Sequence, residues 1–186
     1  MDGRAAAVVE AKKEGQTLDI NSIDDGTKRI ASPKALASSQ APSRARQRLK
    51  PGDVLVSMTR PNLNAVAMLP PELEAAIGST GFHVARALGV EARWLYYFVQ
   101  TRRFVDAMSR LVLGVLYPAV RPKDIRTHAV PLAALPEQHR IVAEIEKQFT
   151  RLRPERAGKE AAEKQVTKRT RKRRSAVLGD VRSLFG

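Results

Sequence analysis

The sequence has no cysteine and no long apolar run, and both absences narrow the kind of protein that it encodes. Without cysteine there is no disulfide framework and no thiolate chemistry. The longest apolar runs fall far short of the roughly 18 residues that a membrane span requires. The first residues also lack the basic, apolar and small-residue pattern of a secretory signal. We therefore expect a soluble, cytoplasmic protein that makes no contact with a membrane.

The residue patterns of most catalytic sites are also missing. His83, His128 and His139 lie far apart in the sequence, so no metal-binding spacing is present. Glycine-rich nucleotide-binding motifs do not occur, and neither does the Asn/Asp-Pro-Pro-aromatic motif of amino-methyltransferases. Glu10 and Lys12 form the Glu-x-Lys pair of some nucleases, but the upstream Pro-Asp is lacking. We predict a protein without catalytic activity, without a metal site and without a cofactor of its own.

Positive charge is the strongest feature that is present. The chain has 33 Lys and Arg against 19 Asp and Glu, which gives a formal net charge of +14. Such basicity indicates nucleic acid, an anionic membrane or an acidic protein as the partner, and charge alone does not separate them. With 186 residues, 43% of them hydrophobic, the chain is long enough for one ordinary domain and an appendage.

Two prolines mark the place where a compact domain ends and a long helix begins. Neither Pro131 nor Pro136 fits inside a helix, but Pro136 fits the first helical turn. Acidic residues that follow lie towards the positive end of the helix dipole. We therefore predict a leader at residues 1–16, a compact domain at residues 17–135 and a long coiled-coil-type helix at residues 136–186.

The compact domain has the turn signals of a small mixed sheet with helices, which is an α+β fold. A short strand from Thr17 ends in an Asp-Asp-Gly turn, in which Gly26 is expected to supply a positive φ. Residues 54–69 predict a β-hairpin around a polar loop, and residues 82–85 predict a further strand. The clearest amphipathic pattern, at residues 91–111, predicts one helix whose aromatic face belongs to the core.

Four cations occupy every second position just before the hairpin. If this segment is extended, the alternation places all four side chains on one face, where they could line a phosphate backbone. The same pattern is typical of a solvated edge strand, and the sequence leaves both interpretations open. These residues, called the basic row below, are Arg44, Arg46, Arg48 and Lys50.

The loop of the hairpin carries side chains that suit base recognition. Arg60, Asn62 and Asn64 have forked donors and acceptors that can match the edges of bases. Asparagine is equally a good turn former, so the loop has a purely structural interpretation as well. Arg121 and Lys123, which precede the proline-rich linker, complete the predicted DNA contacts.

A resemblance to a known family appears at the linker. Residues 130–149 read V-P-L-A-A-L-P-E-Q-H-R-I-V-A-E-I-E-K-Q-F. This junction resembles the end of a target-recognition domain in the specificity subunit of type I restriction-modification systems. In that family the linker usually reads Pro-Leu-Pro-Pro-Leu-x-Glu-Gln, so Ala133 and Ala134 replace two prolines here. Gly52 and Asp53, before an apolar strand, are a second feature that is similar to this family.

The resemblance implies a non-catalytic subunit that binds double-stranded DNA and targets a methyltransferase subunit, together with a restriction subunit in a complete system. S-adenosylmethionine and ATP would belong to those partners. Complete family members carry two recognition domains in tandem, each followed by a long helix, so this chain would be a half-length or truncated member. The alternative is a remnant that binds the methyltransferase through its helix without DNA specificity. A small endonuclease that uses Glu10 and Lys12 is a third hypothesis.

The long helix carries an apolar stripe at heptad-like spacing, which we expect to form a homodimer or to dock on the methyltransferase. Pro154 and Gly158 interrupt the pattern, and residues 147–174 contain 12 basic and 3 acidic residues. A disordered basic tail is therefore the competing interpretation. The residues of the apolar stripe are Val142, Ile145, Phe149, Leu152, Val166 and Val177.

Overall fold

A computed structural model describes residues 15–36, 38–114 and 116–152, which form short strands followed by helices. The strands are β1 (Gly15–Leu18), β2 (Ile23–Asp24), β3 (Arg29–Ile30), β4 (Lys34–Leu36), β5 (Ala45–Arg48), β6 (Val54–Ser57), β7 (Val66–Met68), β8 (Ile77–Ser79) and β9 (Phe82–Ala85). The helices are α1 (Ala92–Phe98), α2 (Arg102–Arg110), α3 (Pro122–Arg126) and α4, described over residues 135–152. The predicted α+β class is confirmed. No helix among the described residues is long and apolar enough to cross a membrane.

The strands of the described residues pair in two sheets and one small hairpin. The four-stranded sheet has the order β4-β1-β8-β5, and the three-stranded sheet has the order β7-β6-β9. In the first sheet β1 and β8 run parallel, while the other pairs are antiparallel. β2 and β3 form the separate hairpin. The mixed sheet that the sequence predicted is therefore present.

The domain has two hydrophobic clusters, and β6 contributes residues to both. All of its residues are buried, in the order Val-Leu-Val-Ser. Because successive side chains of a strand point to opposite faces, Leu55 packs with Leu18 and Phe82 in one cluster. Val54 and Val56 pack in a second cluster with aromatic side chains of α1 and α2. The predicted hairpin is confirmed by the antiparallel pairing of β6 with β7.

The prediction of a single helix at residues 91–111 is wrong. α1 ends at Phe98 and α2 begins at Arg102. The Thr101 hydroxyl between them accepts a hydrogen bond from the Phe104 amide at 3.4 Å and donates one to the Phe98 carbonyl at 2.7 Å. Thr101 thus caps α2, which is a role that short hydroxyl side chains favour. Phe98 and Phe104 are both buried, so these two rings belong to the core as predicted, whereas Trp94 and Tyr97 are only partly buried.

The turn after β2 also differs from the prediction. Gly26 does not supply the positive φ; that residue is Lys28, with a φ of 57°. The Asp24 carboxylate accepts hydrogen bonds from the amides of Gly26 and Thr27 at 2.9 and 3.0 Å. This aspartate cap closes the first part of the turn without a left-handed residue. The left-handed residue is needed only where the chain re-enters β3.

The chain divides into two units, Met1–His139 and Arg140–Gly186. The first turn of α4 belongs to the first unit, where the Ala134 carbonyl accepts hydrogen bonds from amides three and four residues further on. Pro136 occupies the second helical position, where a missing N–H is tolerated. The predicted start of the helix is thus confirmed to within one residue. Residues 1–14 of the predicted leader, among them Glu10 and Lys12, lie outside the described residues, and the limits of the recognition domain stay predictions.

Candidate nucleic-acid interface

Arg46 and Arg48 of the basic row lie on β5, an edge strand of the four-stranded sheet, and Arg44 and Lys50 flank this strand. Arg44, Arg46 and Arg48 are exposed, whereas Ala45 and Gln47 between them are partly buried. The alternation arises because neighbouring side chains of a strand point to opposite faces. The three arginines are therefore exposed along an edge strand, and their contact with DNA stays a prediction.

Gln47 fixes the opposite face of β5. Its Nε2 donates hydrogen bonds to the carbonyls of Ser79 at 2.7 Å and Phe82 at 2.9 Å. A bulge between Ala45 and Gln47 interrupts the pairing of β5 with β8. Bulges are common on edge strands, where they increase the local twist. Gln47 thus fixes the orientation of β5 from the face opposite the arginines.

Lys50 closes the basic row at its other end, in the turn before β6. Its amide donates a hydrogen bond to Asp53 Oδ2 at 2.8 Å. Asp53 is only 1% exposed, and Arg86 binds both of its carboxylate oxygens, with Nε–Oδ1 and Nη2–Oδ2 distances of 2.7 Å. These hydrogen bonds raise the pKa of the Arg86 guanidinium above its ordinary value. A fully extended backbone would span about 20 Å from Arg44 to Lys50, at about 3.3 Å per residue, and the bulge shortens this span.

The loop between β6 and β7, called loop 60–64, has an unusual backbone. Arg60 and Asn64 both have a φ of 48°, in the left-handed region. Asparagine adopts this conformation more readily than arginine, and backbone strain of this kind concentrates at functional sites. A single 3-10 turn at Pro61–Leu63 lies between them, with Asn62 exposed. Arg60 is exposed as well, so two of the three predicted base contacts face solvent.

Lys28, from the β2–β3 hairpin, holds the end of loop 60–64. Its Nζ donates hydrogen bonds to the carbonyls of Asn64 at 2.6 Å and Leu63 at 3.5 Å. The Lys28 carbonyl accepts a hydrogen bond from the Tyr96 hydroxyl at 3.0 Å. Partial burial lowers the pKa of the Lys28 ammonium. Sequence reasoning missed this residue, because nothing near Lys28 in the chain indicates a contact with the loop.

The chain just before α3 runs along the other side of loop 60–64. The Arg60 amide donates a hydrogen bond to the Pro118 carbonyl at 2.8 Å, and the Val120 amide donates one to the Met58 carbonyl at 2.9 Å. These two bonds form an isolated antiparallel bridge. Loop 60–64 is therefore held on both sides, by Lys28 and by this bridge.

Arg121 and Lys123 follow the bridge at the start of α3, and both are exposed. The Arg121 guanidinium binds the Asp124 carboxylate, with Nη2–Oδ1 and Nε–Oδ2 distances of 3.0 and 3.2 Å. This hydrogen bonding raises the pKa of Arg121 and lowers that of Asp124. Because Asp124 offsets one charge, the two cations add less positive potential than their number indicates.

The turn between β8 and β9 connects the basic row to loop 60–64. The Thr80 amide donates a hydrogen bond to the Arg44 carbonyl at 2.8 Å, and the Met58 amide donates one to the Gly81 carbonyl at 3.0 Å. Thr80 and Gly81 are consecutive, so Arg44 and Met58 lie on two sides of one turn. The chain enters the loop two residues after Met58. The structure thus brings one end of the row close to the loop.

The histidines do not form a site. Burial, with a smaller effect of Arg126, lowers the pKa of His83 on β9. The His128 ring packs edge-on against Phe104, with ring centroids 5.3 Å apart. Within residues 15–36, 38–114 and 116–152, no three His, Asp or Glu side chains gather as a metal ion would need.

Solved structures share the fold of the chain, although no protein-family model and no curated protein sequence matches it. The HsdS subunit from Thermoanaerobacter tengcongensis aligns with 80% of the chain at 35% identity and a TM-score of 0.73. A chain from a structural study of assembly and conformational transition in the type I R-M system aligns with 86% at 34% identity and a TM-score of 0.77. The chain belongs to the HsdS family of type I specificity subunits. It spans 39% and 42% of the length of these two HsdS-like chains.

In this HsdS-family chain, the Glu-Gln motif of the linker anchors the first turn of α4 to the start of α1. Gln138 is buried, and its Oε1 accepts a hydrogen bond from the Glu91 amide at 3.0 Å. Its Nε2 donates one to the Ala133 carbonyl at 2.8 Å. The linker is held once more by Trp94, whose Nε1 donates to the Pro131 carbonyl at 3.0 Å. The motif identifies the family, but only the structure shows what Gln138 contacts.

Four residues of the apolar stripe lie on the described part of α4, and two of these four are exposed. In the described part of the helix, Val142 is buried, Ile145 is partly buried, and Phe149 and Leu152 are exposed. Val166 and Val177, the other two members of the stripe, lie outside the described residues, as do Pro154 and Gly158. The role of the stripe in association therefore stays a prediction.

Proposed function

We propose that the chain is a DNA target-recognition module that brings a type I methyltransferase subunit to a defined DNA sequence. One observation carries the proposal. The backbone of Arg44, at one end of the basic row, and that of Met58, two residues before loop 60–64, both form hydrogen bonds with the turn between β8 and β9. A row of cations beside a projecting loop is the arrangement that binding to a duplex requires, since phosphate contacts position a protein and base contacts specify the sequence.

In this proposal the two elements have separate tasks. The basic row tracks one phosphate backbone over at most about 20 Å, and Arg121 and Lys123 add phosphate contacts beside the loop. Arg60 and Asn62 reach base edges, because the guanidinium fork matches guanine and the amide matches adenine. The strained, doubly anchored backbone of loop 60–64 keeps these side chains in place before binding, which lowers the entropy cost of recognition.

Catalysis is assigned to other subunits. We propose that the methyltransferase, with its S-adenosylmethionine, and a restriction subunit that uses ATP assemble with this chain on DNA in the cytoplasm. This chain then contributes recognition alone and needs no cofactor. The competing function is a remnant that binds the methyltransferase through α4 and reads no sequence.

Selection of bound sequences from a random duplex pool tests the proposal. The full chain is used with a methyltransferase subunit present, because family members act in complexes. Enrichment of one short sequence supports target recognition. Binding of the methyltransferase without any enrichment would instead establish the remnant function.

Replacing Arg60 with alanine is expected to weaken binding to the selected sequence by about 1 to 3 kcal/mol and to leave binding to unrelated DNA nearly unchanged. The reason is that a base contact acts only on the preferred site. The measurement is a competition binding assay between selected and scrambled duplexes.

Arg60→Lys is the matched control for charge. Lysine keeps the positive charge but lacks the planar fork, so selectivity should fall while the salt dependence stays that of the unmodified chain. If both variants discriminate the two duplexes as well as the unmodified protein does, Arg60 does not read the bases.

We also propose that the apolar stripe on α4 mediates a homodimer or docking to the methyltransferase. Ile145→Asp together with Phe149→Asp should abolish this association while leaving the recognition domain folded, since a charge on a packed helix face costs far more than one in water. Sedimentation analysis measures the association, and circular dichroism checks the fold. Ala143→Asp with Thr150→Asp, which adds the same charge away from the stripe, should associate normally. Association that survives the first pair of substitutions would exclude the stripe.

A further inference from the structure

Lys28 has a backbone conformation that its residue type does not favour. Its φ of 57° lies in the left-handed region, where glycine is the usual residue because it has no Cβ. Glycine at this position would relieve the strain of the turn, but it would lack a side chain. The Lys28 side chain contacts loop 60–64, so the strain indicates that this contact matters to the domain.

Strained backbone is concentrated around this one contact. Among the described residues, four residues other than glycine have a positive φ, and three of them are Lys28, Arg60 and Asn64. The Lys28 Nζ lies only 2.6 Å from the Asn64 carbonyl oxygen, which is short for a hydrogen bond from a charged donor. Strained conformations persist only where the surrounding structure fixes them. The Lys28 ammonium provides this restraint at the Asn64 end of the loop.

The Lys28 ammonium also suits the 3-10 turn of loop 60–64. This turn, Pro61–Leu63, ends at Asn64. The last carbonyls of a helical turn lack partners within the turn and form the negative end of its dipole, so a cation is favoured beside them. The carbonyls of Leu63 and Asn64, which accept hydrogen bonds from Lys28, lie at this end. Lys28 therefore caps a turn that is distant from it in sequence.

Lys28 is itself held in place by other elements. The Tyr96 hydroxyl, on α1, donates a hydrogen bond to the Lys28 carbonyl at 3.0 Å. β3, which begins at the next residue, packs against β7, which follows loop 60–64. The ammonium is thus presented to the loop by a backbone that two packed elements position.

We infer that Lys28 is a positioning residue for base recognition: its ammonium holds the end of loop 60–64, so that Arg60 and Asn62 keep the orientation in which they reach the bases. The carbonyls of Leu63 and Asn64 already occupy donors of the ammonium, and the side chain is partly buried. Lys28 is therefore expected to contact no phosphate. This inference rests on the proposed function.

The test uses the full chain with a methyltransferase subunit and compares the selected duplex with a scrambled one. Lys28→Met removes the ammonium and keeps much of the aliphatic stem. It should weaken binding to the selected duplex about 10-fold, because the side chains of the released loop must then be ordered on binding. Binding to the scrambled duplex should stay nearly unchanged. The slope of log affinity against log salt should change by much less than the value of one phosphate contact, about 0.9.

Arg29→Met is the matched control. Arg29 is the next residue along the chain, and its side chain is exposed. The substitution removes the same charge beside Lys28, so it should leave the discrimination between the two duplexes unchanged. An equal loss of discrimination with Lys28→Met and Arg29→Met would assign the effect to charge and overturn the positioning role.

A combined variant separates positioning from a general loss of stability. In a chain that carries Arg60→Ala and Asn62→Ala, adding Lys28→Met should cost no further discrimination, because Lys28 acts only through those two side chains. A substitution that merely destabilised the domain would weaken binding to both duplexes alike. Circular dichroism checks the fold. If Lys28→Met does not fold, Tyr96→Phe takes its place, since it removes the hydroxyl that holds the Lys28 carbonyl and should lower discrimination in the same direction.

The remaining outcomes distinguish the inference from the proposed function. A slope that becomes shallower by about 0.9 with Lys28→Met would make Lys28 a phosphate contact and overturn the inference. Discrimination that survives Lys28→Met but is lost with Arg60→Ala and Asn62→Ala overturns the inference and leaves the proposed function standing. If Arg60→Ala with Asn62→Ala costs no discrimination, or if the chain selects no sequence, the inference and the proposed role of loop 60–64 fail together.

Discussion

Replacing Arg86 with methionine is expected to lower the free energy of unfolding by about 1 to 3 kcal/mol, the range for leaving a buried polar group without its partner. The full cost of breaking a buried ion pair does not apply, because the Arg86 side chain is 43% exposed. Asp53 is 1% exposed and receives two hydrogen bonds from Arg86 and one from the Lys50 amide. Without Arg86, a buried carboxylate keeps a single amide donor, while methionine retains much of the aliphatic packing. Urea unfolding of the full chain measures the loss.

Arg102→Met provides the comparison. Arg102 also pairs with an aspartate, Asp106, at 3.7 Å, but both side chains are largely exposed. Such a pair contributes less than about 1 kcal/mol to the free energy of unfolding, because water screens the attraction between its charges. Equal unfolding midpoints for Arg86→Met and the unmodified chain would show that burial of Asp53 does not need the guanidinium. Asp53 also fixes the turn that carries Lys50, so the pair of Arg86 and Asp53 also supports the proposed DNA contact of Lys50.

Replacing three arginines of the basic row with glutamine is expected to weaken binding to every DNA sequence alike. If each arginine contacts one phosphate, the slope of log affinity against log salt becomes shallower by about 2.7, at about 0.9 per contact. At about 0.15 M salt this corresponds to about 100-fold weaker binding. The variant is Arg44→Gln, Arg46→Gln and Arg48→Gln. Titration of selected and scrambled duplexes at several salt concentrations measures the slope.

A control with the same loss of charge separates contact from net charge. Arg29, Lys147 and Arg151 are exposed and lie outside the basic row. Their replacement with glutamine lowers the net charge by the same amount, but it should change the slope by less than the value of one contact, about 0.9. Should both triple variants change the slope equally, the row acts only through net charge. In that case its alignment along β5 has no special role in binding.

Local sequence patterns were sufficient to predict the elements whose geometry depends only on neighbouring residues. Alternation of cations predicted the basic face of β5, and a polar loop between apolar runs predicted the β6–β7 hairpin, since both periods are fixed by strand geometry. Pro136 predicted the start of α4 because proline is tolerated only in the first helical turn. The family resemblance at the Glu-Gln junction is confirmed by the structural matches. Periodicity failed at residues 91–111, where the apolar pattern continues through the cap at Thr101.

The tertiary structure decided the contacts between residues that are distant in sequence. Lys28 reaches loop 60–64, Gln138 reaches the start of α1, and Arg44 meets the chain near Met58 through the β8–β9 turn. No periodicity encodes these contacts, because each depends on which strands pair and in which register. The sequence by itself thus determined the basic face, the polar loop and the long helix. The approach of the basic row to the polar loop follows from the pairing of β5 with β8 and of β6 with β9, which places both beside the β8–β9 turn.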